Sequence, residues 1–518
     1  MERKSPTTLR YQSELCDRPL TTEITHEISL PDYQPEIKRL LRVSATAQPP
    51  ARYLGGGSAE FSGTVDFNIL YAAGDGKLYC FPTSADYTLR TPMEADASFD
   101  LSDALSCYCL CEPDMTGGRV LGPRRMSVRC RLRARVRAYA TTTVEQAWSA
   151  EPSQAPQRLT HEIATAVTHS GSSAPTTLTD EIIPERDSAA DDWRIISATT
   201  AVLPEEITTA TVTVHCRGQA VLRLLMQRDN DPDAAPIPHT RKLPFSIDIP
   251  IEGTSAGAEA SVHGCCTELR LTMEDGRVLC EAEIVLSAIT QQEQTLAYTT
   301  DVCCIGQHAQ CEMQSLRAPR PLRCINANFT QNETLSPEDA AIPATTDILD
   351  VSTTVLPDSI KTTCENGRCI ISGTCRHSLV LGGEDVSTRE IELPFRYTCD
   401  LPQKADTPLQ DCDCTVSIIS TRARTDNQRL SIDTELYVTA RLWSMSAFSP
   451  VVAVTLSDAP SPLAAGRTIC YPAPDETLWS VAKRYCTDIN TLLHKNHLPG
   501  APRADAPDSL RGVHMIVI

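Results

Sequence analysis

Apolar and polar residues alternate along several stretches of this chain, and turn-forming residues separate these stretches. Residues 63–71 alternate in this way, and residues 208–214 add a run rich in β-branched threonine and valine. A period of two places successive side chains on opposite faces of a strand, and β-branched residues favour strands. The pattern predicts a mainly β fold built from antiparallel β units, each sandwich-like or an open barrel.

Two parts of the chain share a series of motifs in the same order. Each part has an apolar run containing Leu-Pro, then a glycine, then Leu-Pro-Phe. The motifs are 202–207, Gly218 and 243–245 in one part, and 355–360, Gly373 and 393–395 in the other. A spacing of about 150 residues is that of a repeated domain and exceeds that of a solenoid unit. A more divergent third copy begins near Leu30-Pro31 and closes with a strand over 126–140.

Hairpin signals occur near the end of both copies. Asp275-Gly276 separates two apolar runs in one copy, and residues 424–430 align with that segment in the other. Cys364 and Cys369 flank an Asn-Gly pair, which is also a two-residue turn signal. In a hairpin these two thiols would face each other across the strands and could close a disulfide under oxidising conditions.

Helical periodicity replaces the alternation near the C-terminus. Apolar residues spaced three and four apart predict two short helices, one opening at Asp475-Glu476-Thr477 and one at Thr487-Asp488. The first presents Leu478, Val481, Ala482 and Tyr485, and the second presents Ile489, Leu492 and Leu493. Short apolar runs at 468–471 and 513–518 predict a strand on either side, so the expected order is βααβ.

Residues 476–485 and the apolar positions that follow resemble LysM domains. The resemblance implies a groove between the first strand–helix loop and the loop after the second helix, which would hold a glycan containing N-acetylglucosamine or a protein. The groove residues would be Asp475, Glu476, Thr477, Leu478, Thr487, Asp488, Ile489, Asn496 and Leu498. Asp475 and Cys486 stand where the family has glycine, which permits positive φ or close approach to a ligand. These departures favour a protein ligand over a sugar.

Residues 28–41 and 63–71 resemble the opening of SPOCS domains. Three SPOCS domains followed by a LysM domain are the architecture of SipL-like spore-envelope proteins of spore-forming Firmicutes. The resemblance implies a non-enzymatic scaffold in the mother-cell cytoplasm, peripheral to the forespore surface, that links coat and cortex assembly. Its LysM domain would bind a coat-morphogenetic ATPase. The alternatives are a peptidoglycan-binding protein of the cell or spore wall and, less favoured, a cell-wall hydrolase.

These patterns predict four domains joined by three linkers. SPOCS-like repeats are expected at 1–150, 193–305 and 347–450, and the LysM domain at 468–518. The linkers would be 151–192, 306–346 and 451–467, because these stretches are polar or rich in Pro, Ser and Ala. The first two linkers are each long enough to hold a short helix.

Charge and segment composition narrow the range of functions. With 47 basic and 66 acidic residues the formal net charge is −19, which disfavours nucleic-acid binding because phosphate contacts need clustered cations. The N-terminal residues lack the apolar stretch of a signal peptide, and no apolar run reaches the roughly 20 residues of a transmembrane helix. The chain is therefore expected to be cytoplasmic, with most of its 22 cysteines reduced.

A row of arginines interrupts the acidic background. Five arginines alternate with apolar residues over nine positions, so a strand would place all five on one face. They are Arg129, Arg131, Arg133, Arg135 and Arg137. The favoured interpretation is a solvated face paired with acidic neighbours, and the alternative is a docking stripe for an acidic partner or a membrane surface.

No motif predicts a cofactor, a metal or catalysis. Cysteines two residues apart, such as Cys107, Cys109 and Cys111, share one strand face, whereas zinc sites more often use wider spacings together with histidine. Phosphate loops, nucleophile elbows and zinc-protease motifs are missing from the sequence. The sequence therefore predicts a binding protein or scaffold and no enzyme.

Overall fold

The structure is a computed structural model in which the chain is mainly β, with several antiparallel sheets. It describes residues 7–55, 57–93, 106–148, 156–183, 193–228, 235–274, 277–340, 342, 346–383, 385–401, 409, 411–426, 429–458, 468–473, 475–498, 505–506 and 509–518. The Asp275-Gly276 turn lies outside the described residues. The strands on either side of it pair from Glu274 and Arg277, as expected for a two-residue connection.

The first seven strands form two sheets that share one core, here called the first sheet pair. They are β1 (Thr7–Ser29), β2 (Ile37–Ala47), β3 (Ala51–Gly55), β4 (Ser58–Ala73), β5 (Leu78–Pro92), β6 (Ser106–Gly122) and β7 (Arg125–Trp148). In one sheet β7 lies between β1 and β6, and in the other β4 lies between β5 and β2. Phe61, Phe67, Met126 and Leu132 are buried between the two sheets.

The second sheet pair has the same plan. Its strands are β8 (Gln157–Ser172), β9 (Thr176–Ile182), β10 (Trp193–Ala210), β11 (Thr213–Arg228), β12 (Ile237–Pro250), β13 (Glu259–Glu274) and β14 (Arg277–Cys303). The long strand β14 lies between β13 and the consecutive strands β8 and β9, and β11 lies between β10 and β12. Leu222, Phe245 and Ile284 belong to the shared core.

The third sheet pair follows β15 (Gln307–Met313). Its elements are β16 (Leu316–Leu335), α1 (Pro337–Ala340), β17 (Ile348–Val355), a 3-10 turn (Pro357–Ser359), β18 (Lys361–Glu365), β19 (Arg368–Leu381), β20 (Ser387–Asp400), β21 (Asp411–Asp426) and β22 (Arg429–Phe448). Strand β23 (Val451–Asp458) follows this sheet pair. Here β22 lies between β16 and β21, and β19 lies between β20 and β17. The penultimate and last strands are therefore neighbours in all three sheet pairs.

The repeated glycines face aromatic rings across the sheet. Gly218 is paired with Phe245, and Gly373 is paired with Phe395. In the first sheet pair Gly63 is paired with Tyr87 in the same way. A ring laid over a glycine covers the gap that the missing side chain leaves, which is a known way to stabilise a glycine within a strand. The shared motifs of the sequence therefore correspond to one structural position.

Three stretches interpreted as linkers contribute strands, so that interpretation is wrong for their described residues. The strands are β8 and β9 within 151–192, β15 and β16 within 306–346, and β23 within 451–467. Among the described strands β16 pairs with β22 alone, and as an edge strand it tolerates Pro319 and Pro321. The described residues of 151–192 contain no helix, so the prediction of a short helix there is wrong for them. The stretch 306–346 does contain a short helix, α1.

The third of these stretches also joins distant parts of the chain. β23 pairs antiparallel with β15 and, over two residue pairs, parallel with the end of β7. Residues after the third sheet pair thereby extend a sheet of the first sheet pair. The supposed linker at the end of the third unit is therefore a structural connection between the first and the third sheet pairs.

The Asn366-Gly367 turn joins β18 and β19 as its sequence predicts. Both residues have positive φ, 51° and 74°, as a two-residue hairpin turn requires. Cys364 and Cys369 are direct partners across this hairpin, and both are free thiols. The hairpin therefore places the two thiols side by side, as the sequence predicts.

Gly218→Ala should destabilise the protein, because an added Cβ would lie 2.1 Å from the Leu203 carbonyl oxygen. Backbone cannot yield as a flexible side chain can, so a loss of about 1–3 kcal/mol is expected. The midpoint of urea unfolding, followed by circular dichroism, measures the change. Gly74→Ala is the matched control, since its Cβ would meet open space. Equal midpoints for both variants would contradict the packing argument.

Candidate functional site

The C-terminal residues form a small module with two short helices between two short strands. The elements are β24 (Ile469–Cys470), α2 (Leu478–Arg484), α3 (Ile489–Lys495) and β25 (Ile516–Val517), and the two strands pair antiparallel. Val481, Leu492 and Ile516 are fully buried in its core. The order of elements is the one that the hydrophobic pattern predicts.

Several residues predicted to line a ligand groove serve the module's own fold. Thr477 caps α2 and accepts a hydrogen bond from the Ser480 amide, and Asp488 caps α3 by accepting one from the Thr491 amide at 2.7 Å. Such caps satisfy amides that lack a partner at the start of a helix. Glu476 forms an ion pair of 2.8 Å with Arg484. These polar groups are engaged within the module.

The remaining predicted groove residues divide between the core and its surface. Leu478 is buried, while Ile489 and Leu498 pack against the module core. Asn496 bridges to β25, since its side chain donates to the Val517 carbonyl at 2.8 Å and accepts from the Val517 amide at 2.6 Å. Asp475 is exposed. The structure therefore brings these residues into one module, most of them in structural roles.

Cys486 occupies the turn between α2 and α3 in a conformation that usually needs glycine. Its φ is 48°, a left-handed value that costs a residue with a side chain of order 1–3 kcal/mol. Its carbonyl accepts a hydrogen bond of 2.9 Å from the Gly306 amide, and its side chain is buried. The turn is therefore held against the chain segment that follows β14.

The module is anchored to the second sheet pair through Asp301 on β14. The Trp479 indole donates to this carboxylate at 2.9 Å, and the Lys483 ammonium also bonds to it. Burial alone would raise the pKa of Asp301, but the hydrogen bonds from Lys483 and Trp479 outweigh it and lower the pKa. The Ile489 amide adds a bond of 3.1 Å to Gln157 on β8.

The arginine row lies on β7 with the alternation that the sequence predicts, but it faces the chain itself. Arg129 is exposed, whereas Arg131 and Arg133 form ion pairs with Asp358 in the 3-10 turn of the third sheet pair. Arg135 pairs with Asp17 at 2.8 Å. Four of the five arginines have acidic partners within the chain, including Arg137 as described next.

Arg137 departs from the expectation of a solvated face, because its side chain is fully buried. Its Nε donates to Asp413 on β21 at 2.7 Å. Asp413 also accepts from Arg441 on β22 at 2.9 Å and from the Tyr108 hydroxyl at 2.6 Å. Burial favours protonation of Asp413, but the charges of Arg441 and Arg137 prevail and lower its pKa. Arg137 therefore pairs with a buried acidic residue of the third sheet pair and does not belong to a solvated face.

The other contacts of Arg441 extend this buried network to all three sheet pairs. Its guanidinium donates to the Tyr139 hydroxyl at 3.0 Å and to the Thr168 hydroxyl at 3.3 Å. Thr168 belongs to β8, and its amide donates to Gln12 on β1 at 2.6 Å. The Trp443 ring lies under both guanidiniums, 4.2 Å from that of Arg137 and 4.9 Å from that of Arg441.

A second buried carboxylate joins the same three parts of the chain. Asp350 on β17 accepts hydrogen bonds from Arg42 on β2 at 2.7 Å and from Arg223 on β11 at 2.8 Å. Apolar residues of all three sheet pairs pack near it, including Leu70, Leu225 and Val380. Each sheet pair thus contributes to both points of contact.

A cavity of about 1320 Å³ lies where the three sheet pairs meet. Residues of β2, β6, β10, β13, β17 and β21 line it, and among the described strands each of these pairs on one side only. Its lining includes several residues with hydroxyl groups, such as Thr199, Thr354 and Thr415. His263 also lines it and bonds to Thr415 at 3.2 Å, and burial lowers the pKa of this histidine to about 4.

Neither a metal cluster nor a spanning helix is found in the described part of the chain. Among the described residues, no group of three or more His, Cys, Asp or Glu side chains is placed to hold a metal ion. The helices that the structure describes are all too short and too polar to cross a bilayer. The candidate sites are therefore the C-terminal module and the central cavity.

Comparison with known protein families, with curated proteins and with solved structures finds no match for this chain. The LysM and SPOCS resemblances consequently remain predictions from the residues quoted above. What the chain does has to be argued from its own contacts and surfaces.

Asp413→Asn should be strongly destabilising, because it leaves two buried guanidiniums without their shared carboxylate. Removing one partner of a buried ion pair typically costs about 3–5 kcal/mol. Urea unfolding at neutral pH measures the loss. Asp358→Asn is the matched control, because Asp358 pairs with two arginines but is 62% exposed and should contribute less than about 1 kcal/mol.

The effect of Asp413→Asn should also depend on pH. The pKa of Asp413 is lowered in the folded protein, below an unfolded value of about 3.9. The contribution of the Asp413 carboxylate to the free energy of unfolding is therefore complete above about pH 4. It is lost as the pH falls towards the pKa that Asp413 has in the folded protein. The difference in unfolding midpoint between wild type and variant should shrink below about pH 4. A difference that stays constant down to pH 3 would show that this carboxylate does not supply the stability.

Asp301→Asn should loosen the C-terminal module without unfolding the sheets, because it removes the charge that Lys483 and Trp479 share. Hydrogen–deuterium exchange should become faster in α2 and α3 and stay unchanged in β4 and β7. Glu312→Gln, an exposed change on β15, is the control and should leave all four elements as they are. Protection of α2 equal to wild type would contradict anchoring through Asp301.

Proposed function

We propose that this protein is a non-enzymatic spore-envelope scaffold whose C-terminal module binds a coat-morphogenetic ATPase. Three sheet pairs with one strand order are what three SPOCS-like repeats would produce, with the second starting at β8 and the third at β16, before the bounds that the sequence suggests. The βααβ order of the C-terminal module fits a LysM domain. The protein would act in the mother-cell cytoplasm, at the forespore surface, where it would link coat and cortex assembly.

The outer face of the β24–β25 sheet is the observation that carries this proposal. Pairing of Ile469 with Val517 and of Cys470 with Ile516 puts Cys470 and Ile516 on the buried face. The side chains on the opposite face include Ile469 and Tyr471, and Met515 precedes β25 on the same side. Tyr471 is 74% exposed, and the other two are about half exposed. A compact exposed apolar patch of this kind is typical of a protein-binding surface.

The anchoring of the module supports the same assignment. Its contacts with the second sheet pair come from α2, from the turn after it, from the start of α3 and from Asp505, and none of them involves β24 or β25 among the bonds described. The apolar face of β24–β25 is left available while the module is held in place. A surface held in a fixed orientation loses less entropy when a partner binds.

The glycan alternative has less support from the described residues. A sugar groove needs free polar groups, but Glu476, Thr477, Asp488 and Asn496 are already bonded within the module. The left-handed turn that glycine would make easily is occupied by the buried Cys486. A protein ligand that covers apolar side chains is therefore favoured over a polar oligosaccharide.

Replacing the exposed apolar residues should abolish partner binding. The full chain, used as bait in a lysate of sporulating cells, should recover the coat-morphogenetic ATPase, and a Tyr471→Ser/Met515→Ser variant should not. Purified ATPase titrated against both baits then measures the affinity, for which a loss of at least about tenfold is expected (1.4 kcal/mol). Tyr33→Ser, which alters another tyrosine that is 80% exposed, is the matched control and should bind like wild type.

Two outcomes would count against the proposal. Clear binding of chito-oligosaccharides by the wild-type chain, lost in an Asp475→Ala variant, would support the glycan alternative instead. A deletion strain of the encoding organism that forms normal coat and cortex would exclude the scaffold function.

A further inference from the structure

The central cavity is rich in thiols. Six cysteines from the first and second sheet pairs line it, namely Cys80, Cys107, Cys109, Cys111, Cys265 and Cys266. All six are free. Packing alone accounts for a buried cysteine, because a thiol behaves as a small apolar group, but it does not require thiols at the wall of a cavity.

Two of these cysteines lie together on one face of β6. Cys109 and Cys111 are two residues apart, so the period of the strand points both side chains in the same direction. Their Sγ atoms are 3.4 Å apart, close enough for one thiol to donate a hydrogen bond to the other. Both side chains are partly exposed, whereas Cys107 on the same strand is buried. The pair is therefore the accessible part of this row.

The two thiols are electrostatically unequal. The hydrogen bond from Cys109 lowers the pKa of Cys111, and a hydrogen bond from Tyr87 adds to this effect against the opposing effect of burial. The same bond and burial raise the pKa of Cys109. Of the two thiols, Cys111 is therefore the one that loses its proton more readily. A thiolate is the nucleophilic form of cysteine.

The other thiols of the cavity lack this activation. Burial raises the pKa of Cys80, Cys107 and Cys265 to about 12 in each case, and it also raises that of Cys266. Among the described lining cysteines, Cys111 alone has a lowered pKa. A reagent that enters the cavity would therefore meet one reactive sulfur next to a second one.

We propose that Cys109 and Cys111 form a reversible thiol–disulfide exchange site for low-molecular-weight disulfides. The Cys111 thiolate attacks one sulfur of the disulfide R–S–S–R, the S–S bond breaks, and a mixed disulfide forms as one RS⁻ leaves. Cys109 then attacks the Cys111 sulfur while its proton passes to a leaving thiolate. The products are a Cys109–Cys111 disulfide, one RSH and one RS⁻, so that two electrons have moved from the protein to R–S–S–R.

The size of the cavity and the geometry of the strand set the properties of this site. Ligand pockets commonly measure about 300–1,000 Å³, so a cavity of about 1320 Å³ can admit a disulfide of two small peptides. Residues two apart in an extended strand have Cα atoms roughly 6.6 Å apart and nearly parallel side chains, whereas a disulfide needs Cβ atoms about 3.5–4.5 Å apart, so β6 has to bend locally when the bond closes. The resulting strain makes the bond easy to reduce, so the site responds reversibly to the thiol–disulfide balance around it.

Oxidised glutathione is a suitable probe for the purified, reduced full-length chain. The wild-type chain should form the Cys109–Cys111 disulfide, which mass spectrometry detects as the loss of two hydrogens from the tryptic peptide 91–119. Excess thiol should reverse this change. Cys109→Ser should accumulate one glutathionyl group on Cys111, because the resolving thiol is missing. Cys111→Ser should show neither product at this pair, and the control Cys80→Ser should behave like wild type.

Competitive alkylation keeps the test independent of how well the variants fold. In the wild-type chain at neutral pH, Cys111 should react with iodoacetamide at least about tenfold faster than Cys80, Cys107 or Cys265, which corresponds to one unit of pKa or more. Glutathionylation spread evenly over the cavity thiols, or adducts that never resolve into the internal disulfide, would overturn the proposal. Equal alkylation rates would overturn it as well.

Discussion

The Asp413 carboxylate, held between the Arg137 and Arg441 guanidiniums, is the contact on which the arrangement of this molecule depends. Removing three charged groups from water costs several kcal/mol for each, and only close, well-satisfied contacts repay it. Here the hydroxyls of Tyr108 and Tyr139 and the face of Trp443 surround the charges. Such a network tolerates little displacement, so it sets the positions of the strands that carry it.

Because those strands come from different sheet pairs, one network sets the relation among all three. Asp350 repeats the arrangement elsewhere, with one buried carboxylate of the third sheet pair held by Arg42 of the first and Arg223 of the second. Both acceptors come from the third sheet pair, and most of the donors come from the other two. The third sheet pair is therefore held in place by side chains of both other sheet pairs.

The cavity follows from the same arrangement. Edge strands carry backbone groups without strand partners and tend to pair with other chains. Here several of these groups are satisfied by side chains of a neighbouring sheet pair. Gln48 donates to the Cys266 carbonyl at 3.1 Å, and Asn68 donates to the Ala198 carbonyl at 3.2 Å. The edges are therefore bridged by side chains and kept apart, and the space left between them is the thiol-lined cavity.

Local features were predictable from the sequence, and long-range features were not. Alternation correctly placed Cys130 and Leu132 in the core opposite the arginines of β7, and the Asn366-Gly367 turn formed as expected. The burial of Arg137 could not be predicted from the sequence, because its partner Asp413 lies 276 positions away along the chain. Strands β8 and β16 were missed because an edge strand can carry polar residues and proline, which look like linker composition.

The C-terminal module shows why fold and ligand have to be argued separately. The residues that define its pattern, such as Thr477, Asp488 and Asn496, cap helices and tie α3 to β25, so matching them predicts the fold without specifying a groove. Its binding properties depend instead on what the rest of the chain covers. Asp301 fixes α2 against the second sheet pair and leaves the apolar face with Tyr471 exposed. The proposed partner would therefore meet the face that anchoring leaves open.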